Sequence, residues 1–81
     1  MRVKYTQAAR KHRIGRTHVA YVIATYAPVA EVTRRGEAAY RWTGNDATGR
    51  ELDVIGVPKT DDKTGEPILL ITHVFPTALK G

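Results

Sequence analysis

The sequence contains no cysteine, so several classes of protein can be set aside at once. Without thiols the chain forms no disulfide bridges, no thiolate zinc sites and no cysteine nucleophile. It also lacks an apolar run near the roughly 20 residues of a membrane-spanning helix, and no apolar segment of a signal peptide follows its basic start. These absences predict a soluble, cytoplasmic product.

The motifs of several enzyme classes are missing as well. There is no Walker A loop and no Gly-x-Ser-x-Gly nucleophile elbow, because the glycines stand singly in predicted turns. The three histidines, His12, His18 and His73, include no pair at the i, i+4 spacing that places two metal ligands on one helical turn. The sequence therefore predicts neither a metal site nor a cofactor.

The composition is that of one small globular domain. With 81 residues, 42% of them hydrophobic and 26% charged, the chain can bury a single core, and we expect one domain over residues 1–81. No internal repeat, low-complexity tract or linker divides it.

The net charge of +5 is unevenly distributed along the chain. Residues 1–30 carry six basic residues and no acid: Arg2, Lys4, Arg10, Lys11, Arg13 and Arg16. Such a cluster attracts phosphates and predicts nucleic-acid binding, with Lys4, Arg10, Arg13 and Arg16 as contacts. A basic face that docks an acidic protein, or a solvated face with no ligand, explains the same charges.

Hydrophobic periodicity predicts a short strand and two helices in the first third. Residues 2–5 alternate as a half-buried strand does, and Thr6 can cap a short first helix over residues 7–12. A clearer second helix has Gly15 as its N-cap and ends before Pro28. Its apolar stripe has the i, i+3, i+4, i+7 spacing and consists of Val19, Val22, Ile23 and Tyr26.

After Pro28 the period changes to two, which predicts strands. Residues 31–34 and 37–43 can pair as a hairpin across Arg35 and Gly36, and further strands are expected at residues 50–57 and 68–75. The last is the most apolar and should be central. The predicted fold class is α+β, with a short N-terminal strand, two helices and then a three- to four-stranded antiparallel sheet.

The remaining polar residues suit metal-free cleavage of a phosphodiester, which needs a base, an acid and cations. His12 can exchange a proton near neutral pH, Lys11 lies beside it, and Arg41 and Arg50 flank the second turn of the predicted sheet. Other interpretations stay open. His12 and His73 are also typical of packed, hydrogen-bonded histidines, and His18 is expected to be solvated.

Two aromatic residues share one predicted strand face. Tyr40 and Trp42 could stack RNA bases, as aromatic side chains on sheets do, and Tyr40 is a candidate nucleic-acid contact. Core packing of the single tryptophan is the favoured alternative.

Three segments, in order along the chain, resemble the BrnT family of toxins within the RelE-like superfamily. The turn at residues 11–15 is similar to the family's Lys-His-Gly-Val/Ile-Ser turn, and residues 41–44 and 49–54 resemble its Arg-Trp-x-x-Gly and Gly-Arg-x-Leu-x-Val hairpin. Residues 68–72 resemble its last strand. The family pattern then brings arginines, whereas this chain has His73 at that point.

The resemblance implies a RelE/BrnT-like fold and a toxin that cleaves mRNA and is neutralised by a ribbon-helix-helix antitoxin. It implies phosphate contacts by Lys11, Arg41 and Arg50, and the missing arginine leaves two alternatives: the cationic transition-state stabiliser is absent, or His73 replaces it. The leading hypothesis is thus a metal-independent endoribonuclease, with His12 or His73 transferring protons. The alternatives are a non-catalytic nucleic-acid-binding module and a basic protein-interaction domain.

Overall fold

A computed structural model describes residues 2–79 as one helix packed against a single sheet. The strands and the helix follow the chain in this order: β1 (Arg2–Tyr5), α1 (Arg16–Thr25), β2 (Val29–Val32), β3 (Ala38–Asn45), β4 (Glu51–Thr60) and β5 (Pro67–Pro76). Two short 3₁₀ turns, Ala8–Arg10 and Thr77–Leu79, precede α1 and follow β5.

The sheet is mixed, with the strand order β1-β5-β4-β3-β2. Strands β2 to β5 form an antiparallel meander, while β1 lies at the far edge and pairs in parallel with β5. The helix therefore belongs to the connection that carries the chain from one edge of the sheet to the other.

This architecture corrects the predicted fold class of two helices followed by a three- to four-stranded antiparallel sheet. Five strands form the sheet and only one α-helix is present within residues 2–79. Residues 7–12 are too few to offset the cost of nucleating a helix, and they form only one 3₁₀ turn. Arg13 then adopts a left-handed conformation with φ 55°, which ends the helical backbone.

The prediction for the second helix is confirmed. Gly15 is the N-cap of α1 in an extended conformation, and the helix ends at Thr25, before Pro28. Val19 and Val22 are fully buried, as the apolar stripe requires. None of the helices in the described segment is long and apolar enough to cross a membrane.

The core lies between α1 and one face of the sheet. The buried side chains of this helix-side face come from three adjacent strands and include Trp42, Leu52, Val54, Leu69, Ile71 and Val74. Trp42 is 6% exposed, which confirms core packing as the role of the tryptophan. A hairpin forms where one was predicted, but its first strand is Val29–Val32 instead of residues 31–34. Because Val32 pairs with Ala38, its turn is longer than the predicted two residues.

The opposite face of the sheet carries no helix in the part of the chain that the structure describes. The side chains of antiparallel partners point to the same face of a sheet. Two rows across β3, β4 and β5 therefore lie together on this face: Arg41, Ile55 and His73, and next to them Thr43, Asp53 and Phe75. We call this surface the open face. The ladder between β4 and β5 is irregular next to Ile55, since His73 opposes Ile55 whereas Ile71 opposes Gly56.

Gly44 is where the helix end meets the sheet, and it offers a test of this packing. A Cβ at Gly44 would lie 2.3 Å from ring atoms of Tyr26, a distance that real contacts do not reach. We expect Gly44→Ala to lower the free energy of unfolding by about 1–3 kcal/mol because the ring must move.

A double-mutant cycle in urea provides the control. In a Tyr26→Ala background the same glycine replacement should be neutral or slightly stabilising, because alanine suits a strand better than glycine. An equal cost in both backgrounds would show that Tyr26 does not contact Gly44.

Candidate functional site

A cluster of charged side chains stands on the open face of the sheet. Arg41 donates from Nε to Glu31 Oε1 at 2.8 Å and from Nη1 to Asp53 Oδ2. Asp53 also accepts a hydrogen bond from Thr43 Oγ1 at 3.2 Å, and its carboxylate lies 3.5 Å from His73 Nε2. We call Glu31, Arg41, Asp53 and His73 the open-face cluster.

The cluster combines a buried carboxylate with partly exposed partners. The Asp53 side chain is 3% exposed, whereas those of Arg41 and His73 are 36% and 38% exposed. A buried carboxylate must be paired and hydrogen-bonded, which the contacts with Arg41 and Thr43 achieve. The hydrogen bond to Glu31 is the main reason why the pKa of Arg41 is raised, so its guanidinium stays charged.

Phe75 brings a second imidazole to the same surface. The His73 ring stacks on the Phe75 ring at a centroid distance of 5.7 Å, and the His12 ring meets Phe75 edge-on at 4.8 Å. His12 reaches this position because the turn that follows Ala8–Arg10 packs near β5. The two histidines that sequence reasoning named as proton carriers therefore flank one aromatic ring.

A groove runs along the open face beside the cluster. Two adjoining cavities of about 320 and 430 Å³ share the lining residues Thr33, Arg34 and Thr72. The smaller cavity is also lined by Arg41 and Glu31. The larger cavity is also lined by Arg35 and by Lys59, which forms an ion pair with Glu37. Both exposed arginines of the β2–β3 turn thus line the groove.

Arg50 lies elsewhere, in a cluster that holds the β3–β4 turn. The fully buried Asp46 carboxylate accepts hydrogen bonds from Arg50 Nε at 3.2 Å and from Arg50 Nη2 at 3.1 Å. His18 Nδ1 of α1 lies 3.3 Å from the same carboxylate. The structure does not bring Arg50 to the open-face cluster, and His18 contacts Asp46 instead of being simply solvated.

The other predicted contacts are spread over both sides of the sheet. Lys11 is exposed and precedes His12, and Lys4 opposes Leu70 of the open face in the register of β1. Tyr40 is 38% exposed, but it lies on the helix-side face, where its ring is 6.2 Å from Trp42.

The basic residues around the start of α1 form a separate feature. Arg10, Arg13 and Arg16 line one cavity together with Tyr5, Ala9, Ile14 and Gly15. We call this cavity the arginine pocket. Two of the six N-terminal cations, Arg2 and Lys4, lie instead near Asp61. The six charges therefore do not form a single surface.

Sequence reasoning missed several residues of the open face. Asp53 was detectable, because a carboxylate between Leu52 and Val54 interrupts an apolar strand. Phe75 and the groove arginines, Arg34 and Arg35, had no such signal, since their role depends on the strand register and on the bend of the chain at residues 11–14.

Among residues 2–79, no group of three or more histidine, aspartate or glutamate side chains is placed to hold a metal ion. Comparisons of the chain with protein-family models, with curated proteins and with solved structures give no match.

The buried Asp46 makes the stability depend on pH. Hydrogen bonds, first of all from the Thr48 hydroxyl, lower its pKa from 3.8 to about 2. Because the pKa of Asp46 is lower in the folded state than in the unfolded state, its ionisation stabilises the protein. This stabilisation is complete at pH values above the unfolded-state pKa and is lost as the pH falls through the folded-state pKa. We expect Asp46→Asn to destabilise the protein at pH 6, and the difference from wild type should shrink between about pH 4 and pH 2.

Urea unfolding at a series of pH values measures this difference. Asp62→Asn is the matched control, because Asp62 is exposed and its replacement should leave the pH profile unchanged. A constant gap between wild type and Asp46→Asn down to pH 2 would contradict the assigned pKa.

Proposed function

We propose that this protein cleaves single-stranded RNA on the open face of its sheet, without a metal ion. The observation that carries the proposal is the arrangement of His12 and His73 around Phe75, next to the Arg41–Asp53 ion pair. Two imidazoles and a cation on one accessible surface are the groups that this reaction needs.

The chemistry is an internal transfer at phosphorus. The ribose 2′-oxygen attacks the neighbouring phosphorus, one imidazole accepts the proton of the 2′-hydroxyl, and the bond from phosphorus to the 5′-oxygen breaks. The other histidine, as an imidazolium, donates a proton to the leaving 5′-oxygen. The products are a 2′,3′-cyclic phosphate and a 5′-hydroxyl, and no oxidant, reductant or further reactant is consumed.

The cluster supplies orientation, and Arg41 supplies a cationic group that Glu31 and Asp53 hold in place. Asp53 holds Arg41 and lies beside His73 Nε2, so it fixes both side chains relative to Phe75. The exposed part of Arg41 can neutralise charge that develops on the phosphate oxygens. The groove arginines, Arg34 and Arg35, supply attraction for the rest of the strand.

The most direct test is cleavage of a labelled single-stranded RNA by the purified protein in EDTA. We expect fragments that end in a 2′,3′-cyclic phosphate, and no cleavage of DNA of the same sequence, because DNA lacks the nucleophile. His12→Ala and His73→Ala should each lower the rate about 10²-fold or more, and Lys11→Ala combined with His73→Ala should be at least as slow.

His18→Ala is the matched control, since it also removes an imidazole but one that faces Asp46. Its rate should equal that of the wild type once thermal unfolding has shown that it is folded. Equal amounts of intact RNA with wild type and with the Lys11→Ala, His73→Ala double variant would end the catalytic proposal.

A second candidate, RNA binding without cleavage, is favoured by one observation. Glu31 and Asp53 both contact Arg41, so the cation of the cluster is already compensated by two carboxylates within the chain. Affinity that falls steeply with salt, together with RNA that stays intact, would select this candidate. Salt-independent binding would exclude it, and protein co-purification without RNA binding would favour an interaction domain.

An RNA-cleaving protein of this kind would stop growth, so the proposal extends to a toxin with an antitoxin as its partner. This extension rests on the sequence resemblance at residues 11–15, 41–44 and 49–54. Induced expression in a bacterial host should arrest growth, and His73→Ala should restore it at equal protein levels. Normal growth with wild-type protein at levels that the variant also reaches would contradict a toxin role.

A further inference from the structure

The arginine pocket concentrates positive charge without a compensating acid. Its volume is about 410 Å³, and none of the described residues that line it is acidic. Within residues 2–79, Arg10, Arg13 and Arg16 form no ion pair with a carboxylate. Arg41 and Arg50, in contrast, are each held by an aspartate of the chain. Like charges around one cavity repel each other, so an anion from outside would stabilise them.

The turn at Arg13 needs a left-handed backbone conformation and not an arginine side chain. Its φ of 55° lies in the left-handed region, which disfavours residues other than glycine, asparagine and aspartate. A glycine would adopt this conformation without steric cost, yet an arginine occupies it. Strained backbone of this kind clusters at ligand-binding and catalytic sites, so it motivates a search for a role of the Arg13 side chain.

The neighbouring groups prepare the pocket for an anion. The Arg16 guanidinium lies 5.3 Å from the centre of the Tyr5 ring, a contact that restricts its orientation. The Tyr5 phenol, whose pKa is raised by burial, is a hydrogen-bond donor at neutral pH, as any tyrosine is. The first turn of α1, beyond its Gly15 N-cap, contains no acid, so the backbone amides at the helix start add to the positive potential.

We propose that the arginine pocket binds a backbone phosphate of the same RNA strand whose reacting nucleotides lie on the open face. One short turn presents Arg10 and Arg13 to the pocket and His12 to Phe75, so a strand that passes this turn meets both surfaces. The identity of the ligand as RNA rests on the proposed function. The consequence is a preference for strands that extend beyond the reacting dinucleotide.

The variant Arg13→Gly separates binding from stability. It removes one guanidinium and at the same time relieves the left-handed backbone, so the midpoint of thermal unfolding should stay equal or rise. Loss of RNA affinity in a protein of undiminished stability cannot be attributed to damage to the fold. Lys63→Ala is the charge-matched control, because Lys63 is exposed in the β4–β5 loop.

Binding is measured by fluorescence anisotropy with a labelled single-stranded RNA of about 12 nucleotides. All proteins carry His73→Ala, so that the RNA stays intact. We expect Arg13→Gly to weaken binding about tenfold, and Lys63→Ala less than twofold. The slope of log affinity against log salt concentration should become shallower by about 0.7 in Arg13→Gly, as the loss of one phosphate contact predicts.

Three results would overturn the assignment of the arginine pocket. These are equal affinities of Arg13→Gly and Lys63→Ala, absence of RNA binding in the parent protein, or a polyglutamate peptide whose binding depends on Arg13 while RNA binding does not. The last result would assign the pocket to an acidic protein partner.

The test also separates the two proposals. RNA binding that depends on Arg13, in a protein whose wild type leaves RNA intact, would support the pocket and reject catalysis. Cleavage by the wild type, together with an RNA affinity that Arg13→Gly does not change, would support catalysis and reject the pocket.

Discussion

The burial of the Asp53 carboxylate is the constraint on which the rest of the open face depends. A carboxylate in the middle of a sheet is costly unless cations and hydrogen-bond donors surround it, and here Arg41 and Thr43 of β3 and His73 of β5 do so. Thr43 lies directly opposite Asp53, whereas Arg41 and His73 both oppose Ile55 and reach Asp53 diagonally on the same face. The ion pair therefore fixes the positions of the residues that the proposed chemistry uses.

The cluster around Asp46 and the open-face cluster around Asp53 differ in what they contribute to the protein. Asp46 binds Arg50 and the amide and hydroxyl of Thr48 within one hairpin turn, and it also contacts His18 of α1, so that cluster stabilises the turn and its contact with the helix. The open-face cluster joins four strands and leaves Arg41 and His73 more than a third exposed. Arg50 is 43% exposed as well, so what distinguishes the open-face cluster is its position beside Phe75, His12 and the groove. The arginine pocket, whose described lining residues include no acid, complements this cluster on the helix side.

Much of the local structure could be predicted from the sequence. The extent of α1, its Gly15 cap, the hairpin turn at Gly36 and the alternation along β3 all depend on neighbours within a few residues, and each was confirmed. The first helix was not formed, because one turn of favourable residues does not outweigh nucleation. The sequence likewise named His12, Arg41 and His73 as candidates, since residue type alone indicates which groups can transfer protons or carry charge.

What the sequence determined by itself was therefore the chemistry of single residues and the period of each segment. Tertiary structure decided which of them meet. The parallel pairing of β1 with β5, the contact of His12 with Phe75 and the separation of Arg50 from Arg41 depend on strand order and register between residues far apart in the chain. A short-range pattern carries no information on such pairings, because their free energy is gained only once the whole sheet has assembled.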